Sequence, residues 1–136
     1  MRSSSNILLL LSRKGDLHLL SKLLWESGYH VFTELKEDLP PIDLILFDVR
    51  CPTKLMEEIL LFKRRATLFL PVIALVRTGA QVEGLYKIGF DDCLHYPLYK
   101  TELLKRLEFF LRFRRKLQEL KEKEEDQRLK TLGFWP

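Results

Sequence analysis

The chain has 136 residues, of which 46% are hydrophobic and 31% are charged, and its formal net charge at pH 7 is +4. This length and composition are typical of one globular domain that buries a core without disulfide staples. The longest apolar runs fall well short of the roughly 18 residues that a membrane span needs. The N-terminal run is also too short for the core of a signal peptide, so we expect a cytoplasmic protein with no membrane partner.

Strand and helix patterns alternate along the sequence. In chain order they predict a strand at 7–11, a helix at 16–27 capped by Asp16 and ended by Gly28, and strands at 29–35 and 43–48. A helix that begins at Pro52 and Thr53 follows, and then a strand at 69–76. The chain continues with a short helix at 80–88, a short strand at 92–96 and a last helix from residue 99 or 100 towards 131. Such alternation predicts a parallel sheet with helices on both faces. In such sheets the functional crevice lies outside the carboxyl ends of the strands.

The stretch 44-LILFDVRCP-52 is an apolar run that ends in a single carboxylate, Asp48, before a proline-marked turn. Because an ionisable residue is costly at the end of a buried strand, its presence requires a reason. Asp48 either carries chemistry or remains from an ancestor in which it did.

The sequence resembles the receiver domain of two-component response regulators over roughly residues 6–115. The resemblance is carried by 8-LLLLSRKGDLHLLSKLLWESGYHV-31, 43-DLILFDVRCP-52, 72-VIALV-76 and 89-GFDDCLHYPL-98. It implies an α/β, flavodoxin-like, doubly wound sheet of five parallel strands in the order 2-1-3-4-5. We therefore divide the chain into a receiver-like domain at 1–115 and an extension of the last helix at 116–136.

The resemblance also assigns the positions of a phosphorylation site, most of which have lost their chemistry. Asp48 matches the phosphoacceptor and is intact. The metal-binding acidic pair falls on Ser12 and Arg13, the hydroxyl position on Val76 and the lysine position on Tyr96. The aromatic switch position falls on Cys93, and these departures identify a degenerate receiver, or pseudo-receiver.

Magnesium binds proteins through one or two carboxylates together with water and phosphate oxygens. Asp48 alone, beside the cationic Arg13, is a poor magnesium site, so we expect metal-dependent phosphorylation to be lost. We expect no catalytic residue, no metal and no cofactor, with Mg²⁺ relevant only if Asp48 is phosphorylated after all. An ion pair between Arg13 and Asp48 is a further hypothesis; the alternative is an Arg13 that points into solvent.

Only the residues 36-KEDLPPI-42 separate the second and third predicted strands. The family places its second helix there, and parallel strands normally need a crossover of about a dozen residues or more. We expect this helix to be missing or very short. The sheet is then either left partly uncovered, as a surface for a partner, or covered by loop side chains such as those of Leu39 and Ile42.

The last helix continues beyond the end of a normal receiver. Phe110, Phe113, Leu117 and Leu120 form a 3-4-3 seam that suits a helix pair, although two half-repeats are fewer than a firm coiled coil requires. We expect a parallel homodimer through this seam, or a linker to an output domain; the alternative is a single charged helix.

Two cysteines, Cys51 and Cys93, occur without a CxxC pair and read as reduced, structural thiols. The leading interpretation is a non-enzymatic signalling module that binds a protein partner, such as a histidine kinase or output domain, or itself. One alternative is a true phosphoacceptor that uses Asp48. The other is a nucleic-acid adaptor, which is not favoured because no known nucleic-acid motif accompanies its basic residues. Those residues are Lys63, Arg64, Arg65, Arg112, Arg114 and Arg115.

Overall fold

Strands and helices alternate through the structure, a computed structural model that describes residues 4–134. The elements in chain order are β1 (Asn6–Leu10), α1 (Lys14–Glu26), β2 (His30–Phe32), β3 (Leu44–Asp48), α2 (Thr53–Arg65), β4 (Val72–Val76), α3 (Glu83–Ile88), β5 (Asp92–His95) and α4 (Lys100–Thr131). All five strands are parallel and lie in the order β2-β1-β3-β4-β5. The predicted flavodoxin-like sheet with a long C-terminal helix is confirmed.

The core lies on both faces of the sheet because successive side chains of a strand point to opposite faces. Every residue of β3 and β4 is buried. One face packs Leu8, Ile45, Phe47 and Val72 with Ile59 of α2. The other face packs Ile7, Leu9, Leu46 and Ile73 with Leu24 of α1 and Leu107 of α4. The continuous apolar runs of the sequence are explained by this burial on both sides.

Helix α1 begins differently from the prediction. Its N-cap is Arg13, which makes no side-chain capping hydrogen bond, and Asp16 lies within the first turn. There the carboxylate of Asp16 complements the positive end of the helix dipole instead of capping a backbone N–H. Gly28 follows the helix with φ of +94°, a conformation that favours glycine, so the predicted stop is confirmed.

The second helix of the resembled family is missing, as predicted. Residues 33–43 form neither helix nor strand. Leu35 and Leu39 of this segment are half-buried and, with Phe32, pack against the core face that contains Phe47. The segment carries no large exposed apolar side chain, so its loop residues cover part of this sheet face.

Helix α4 extends far beyond the sheet. Its buried residues are Leu103, Leu107 and Leu111, and the helix continues to Thr131 without a further buried position. Because α4 runs uninterrupted past residue 115, the division at 115/116 stays a prediction. Within residues 4–134, no helix is both long enough and apolar enough to cross a membrane.

Candidate functional site

Asp48 is the last residue of β3, and its carboxylate is completely shielded from water. The carboxyl ends of parallel strands meet at one edge of a sheet. Strand β1 lies on one side of β3 and β4 on the other, with β5 beyond β4. The residues that follow β1 and β5, Ser12 and Tyr96, therefore reach the carboxylate of Asp48 from two directions.

Arg50 provides most of the contacts to this carboxylate. Its backbone N–H donates to Asp48 Oδ1 at 2.9 Å, which forms the short side-chain-to-backbone turn that aspartate favours. The same turn folds the guanidinium back over the carboxylate. Nε lies 3.0 Å from Oδ1 and 3.1 Å from Oδ2, and Nη2 lies 2.7 Å from Oδ2. Such a charge-assisted, two-pronged contact is among the strong hydrogen-bonding arrangements in proteins.

Ser12 and Tyr96 complete the shell around Asp48. The Ser12 hydroxyl donates to Oδ2 at 3.1 Å, and the Tyr96 hydroxyl lies 3.4 Å from the same oxygen. The Arg50 Cζ atom stands 4.8 Å from the centre of the Tyr96 ring, within the range of a cation–π contact. The guanidinium of Arg50 thus contacts both the face of the Tyr96 ring and the carboxylate of Asp48.

The electrostatics of the cluster favour a permanent ion pair. Burial acts to raise the pKa of Asp48, but the hydrogen bonds from Arg50 and Ser12 and the charge of Arg50 outweigh it, so the pKa lies below its ordinary value of 3.8. The hydrogen bonds to Asp48 raise the pKa of Arg50. Burial, reinforced by the charge of Asp48, raises the pKa of Tyr96 to about 12. At neutral pH the aspartate is ionised, the arginine is charged and the phenol is neutral.

The residues present do not fit the magnesium ion of a phosphorylation site. The resemblance assigns Ser12 and Arg13 to the positions of the two carboxylates that would share the ion with Asp48, and neither residue is acidic. Asp16 is a further carboxylate near this site, but its Oδ2 lies 3.8 Å from Arg50 Nη2, so the guanidinium contacts both acids. Across residues 4–134, no group of three histidine, cysteine or acidic side chains comes together to hold a metal.

The structure brings some predicted site positions to Asp48 and leaves others apart. Ser12 and Tyr96 contact the carboxylate directly. Val76 ends β4 as a buried apolar residue, and its carbonyl accepts the backbone N–H of Tyr96 at 2.7 Å. Cys93 pairs with Ala74 inside the sheet and packs in the core face that contains Phe47. Burial raises the pKa of the Cys93 thiol, as it does for Cys51, and both cysteines are free.

The predicted ion pair between Arg13 and Asp48 is corrected by the structure. Arg13 is exposed at the start of α1, and the guanidinium on Asp48 belongs to Arg50. Arg50 has the advantage because it lies two residues after Asp48 in a turn that already bonds its backbone N–H to the same carboxylate. The sequence contained a signal for this pair, because an arginine two positions after a buried aspartate can fold back onto its carboxylate.

The four interface candidates on α4 lie in different surroundings. Phe113 packs edge-on against Phe69 with ring centres 5.6 Å apart, and Phe110 packs edge-on against Phe109 at 5.3 Å. Leu117 is half-buried, whereas Leu120 is exposed. Their assignment to an interface stays a prediction.

Solved structures with the same architecture are response regulators. NtrX from Brucella abortus, solved in complex with ADP, is 18% identical over 92% of this chain and 30% of its own, with a TM-score of 0.74. CheY4 of Vibrio cholerae, a chemotaxis response regulator, is 22% identical over 79% of this chain and 99% of its own, with a TM-score of 0.66. The chain has the fold of a response-regulator receiver domain.

The receiver fold also occurs in a receiver-modulated diguanylate cyclase from Pelobacter carbinolicus, which is 26% identical over 85% of this chain and 98% of its own, with a TM-score of 0.64. The chain spans less than a third of the length of NtrX. No protein-family model and no curated protein matches the chain.

Proposed function

We propose that the chain is a pseudo-receiver: a non-enzymatic protein-interaction module of signal transduction that works without phosphorylation. The observation that carries this proposal is the state of the phosphoacceptor position. Asp48 is fully buried and its two oxygens accept hydrogen bonds from Arg50. A fixed cation thus takes the place of the exchangeable metal and phosphoryl group on which receivers rely.

Phosphoryl transfer to a carboxylate requires an oxygen that can approach phosphorus in line with the leaving group, with a cation that stabilises the developing charge. Here the oxygens of Asp48 are already hydrogen-bonded to Arg50, Ser12 and Tyr96. Freeing an oxygen would leave a buried charge without its cationic partner, and such a loss costs about 1–3 kcal/mol. The phosphoacceptor alternative therefore requires Arg50 to leave before any chemistry begins.

The proposed partner is a protein. Receiver folds among the structural relatives belong to multi-part regulators such as NtrX and the receiver-modulated cyclase, so a histidine kinase or an output domain is the class of partner we propose. The homodimer through the seam of α4 that the sequence suggested is the alternative to such a partner. The basic residues give little support to nucleic-acid binding: Lys63 lies 2.7 Å from Asp91, Arg112 lies 2.8 Å from Glu108, and Arg114 is mostly buried beside Asp43.

An amide NMR spectrum of the labelled chain, recorded with and without Mg²⁺ and beryllofluoride, tests the proposal. We expect no shift changes at Asp48, Val76 or Tyr96, because no free oxygen of Asp48 is available to the phosphoryl mimic. Asp48→Asn supplies the control for non-specific effects. Shifts that cluster around these residues in the natural chain and vanish in the control would show a working phosphoacceptor.

A further inference from the structure

An apolar strip on α4 runs beside the core stripe of Leu103, Leu107 and Leu111 and continues past it along the helix. Phe109, Phe113 and Leu120 leave 63%, 48% and 56% of their surfaces exposed. Together with the half-buried Phe110 and Leu117 they occupy one side of the helix, with the 3-4-3 spacing of Phe110, Phe113, Leu117 and Leu120 that another helix can match. We call these five residues the α4 strip.

Cations border the α4 strip on both edges. In the heptad frame set by the 3-4-3 spacing, Lys116 and Lys123 follow one edge and Lys121 and Arg128 follow the other. Lys116, Lys123 and Arg128 are exposed. Lys121 is half-buried, and its Nζ lies 3.5 Å from the carbonyl oxygen of Thr67, which is a weak contact. Lys116 approaches Glu119 at 3.7 Å, but both side chains are largely in solvent, so its charge is scarcely offset. The acids Glu119, Glu122, Glu125 and Asp126 fall outside these edges.

These charges oppose pairing with a second copy of the chain. In a parallel helix pair, Lys116 would face Lys121 of the other copy and Lys123 would face its Arg128, since these are the flanking positions that meet across a coiled coil. Glu124, the next residue along the strip, would face Glu124 of the other copy. An antiparallel pair brings each edge against the same edge, so cations again meet cations. Like charges at such positions are destabilising.

We propose that the α4 strip binds an amphipathic helix of a different protein, one whose apolar stripe is bordered by glutamate or aspartate. The apolar side chains supply the buried area, and the cationic borders select the charge pattern of the partner. This inference rests on the proposed role as an interaction module and deepens it by naming the partner's chemistry. The proposed binding surface does not include Asp48, so an experiment can contradict one proposal without contradicting the other.

The test uses the full chain and two synthetic helical peptides with leucine at the a and d positions. One peptide carries glutamate at e and g, and the other carries lysine there. Binding is followed by fluorescence anisotropy at about 0.05 M and about 0.5 M salt, where screening differs strongly. We expect the acidic peptide to bind at least about tenfold more tightly than the basic one at low salt. The preference should shrink at high salt.

The double variant Lys116→Glu, Lys123→Glu should abolish most of the preference for the acidic peptide, because one edge then carries glutamate while the other keeps Lys121 and Arg128. The matched control, Lys36→Glu, Lys54→Glu, makes the same change of net charge at exposed positions outside α4 and should leave the preference intact. Leu120→Asp should abolish binding of the acidic peptide, and its exposed position leaves the core untouched.

Equal binding of both peptides, or binding of neither, would overturn the proposal. So would a dimer of the chain alone, measured by sedimentation at low salt, that Leu120→Asp dissociates. A response of Asp48 to beryllofluoride would contradict the proposed function but would leave the peptide result standing.

Discussion

At the scale of single residues, Asp48 and Arg50 form a buried carboxylate–guanidinium pair inside one turn of the chain. The carboxylate is shielded from water, whereas the Arg50 side chain remains 35% exposed. The arginine therefore keeps part of its hydration while it satisfies an acid that has no access to solvent. This asymmetry makes the pair sensitive to loss of the cation more than to loss of the acid.

Replacing Arg50 by methionine should lower the free energy of unfolding at pH 7 by about 1–3 kcal/mol, because a buried carboxylate loses its charged donor. Urea denaturation measures the change. Arg13→Met is the matched control and should alter stability by less than about 0.5 kcal/mol, since Arg13 is exposed. Adding Asp48→Asn to Arg50→Met should recover part of the loss; no recovery would mean that Arg50 acts through packing alone.

The lowered pKa of Asp48 gives a stability contribution with a defined pH dependence. A group whose pKa is lower in the folded state binds more protons when unfolded, so its contribution is complete above its ordinary pKa of 3.8 and is lost as the pH falls through the folded-state value. The stability difference between the natural chain and Asp48→Asn should stay constant from pH 7 to about 5 and change only below about 4. A difference that changes between pH 5 and 7 would contradict a lowered pKa.

Part of the site was predictable from the sequence because strand ends converge. Ser12 and Tyr96 follow β1 and β5, so the strand order alone brings them towards Asp48. The identity of the pairing cation was not predictable in the same way. Arg13 and Arg50 both lie near the right sheet edge, and only the geometry of the turn after β3 decides which guanidinium folds back.

At the scale of elements, the segment 33–43 is a loop in the place where the resembled family has its second helix. Two half-buried leucines, Leu35 and Leu39, do the covering that an amphipathic helix would otherwise do. The absence of the helix was predictable from the short, proline-containing segment. Which of its side chains turn inwards was not, because a loop has no repeating period that assigns faces.

Leu39→Ala should therefore destabilise the domain by about 1 kcal/mol through loss of buried apolar area. Thermal unfolding followed by circular dichroism measures the effect. Glu37→Ala, an exposed neighbour, should change the melting temperature little. If both substitutions have the same small effect, the loop does not contribute to the core.

At the scale of the whole molecule, stability should be distributed unevenly along α4. The helix has 32 residues, about 48 Å of length, yet its last buried side chain is that of Leu111. Most helical stability in proteins comes from packing rather than from propensity. Beyond Leu111 the helix still contacts the domain through residues such as Phe113, which packs against Phe69, and it relies otherwise on local contacts such as that between Gln118 and Glu122.

Hydrogen exchange should divide the molecule accordingly. Amides of β3 and β4, and those of α4 around Leu107, should exchange slowly because the global opening of the domain limits them. Amides of α4 after residue 120 should exchange faster by orders of magnitude. Uniformly slow exchange along α4 in the isolated chain would instead indicate that a second molecule already covers the segment.

The continuity of α4 has a mechanical consequence. Twenty residues of α4 follow Leu111, so the helix extends about 30 Å beyond its last buried residue. Under the proposed function, Asp48 stays paired with Arg50 and is not phosphorylated, so no chemical event at the sheet edge changes the direction of α4. A partner that binds α4, as we propose, would then stay at one distance and angle from the sheet instead of moving in response to phosphorylation.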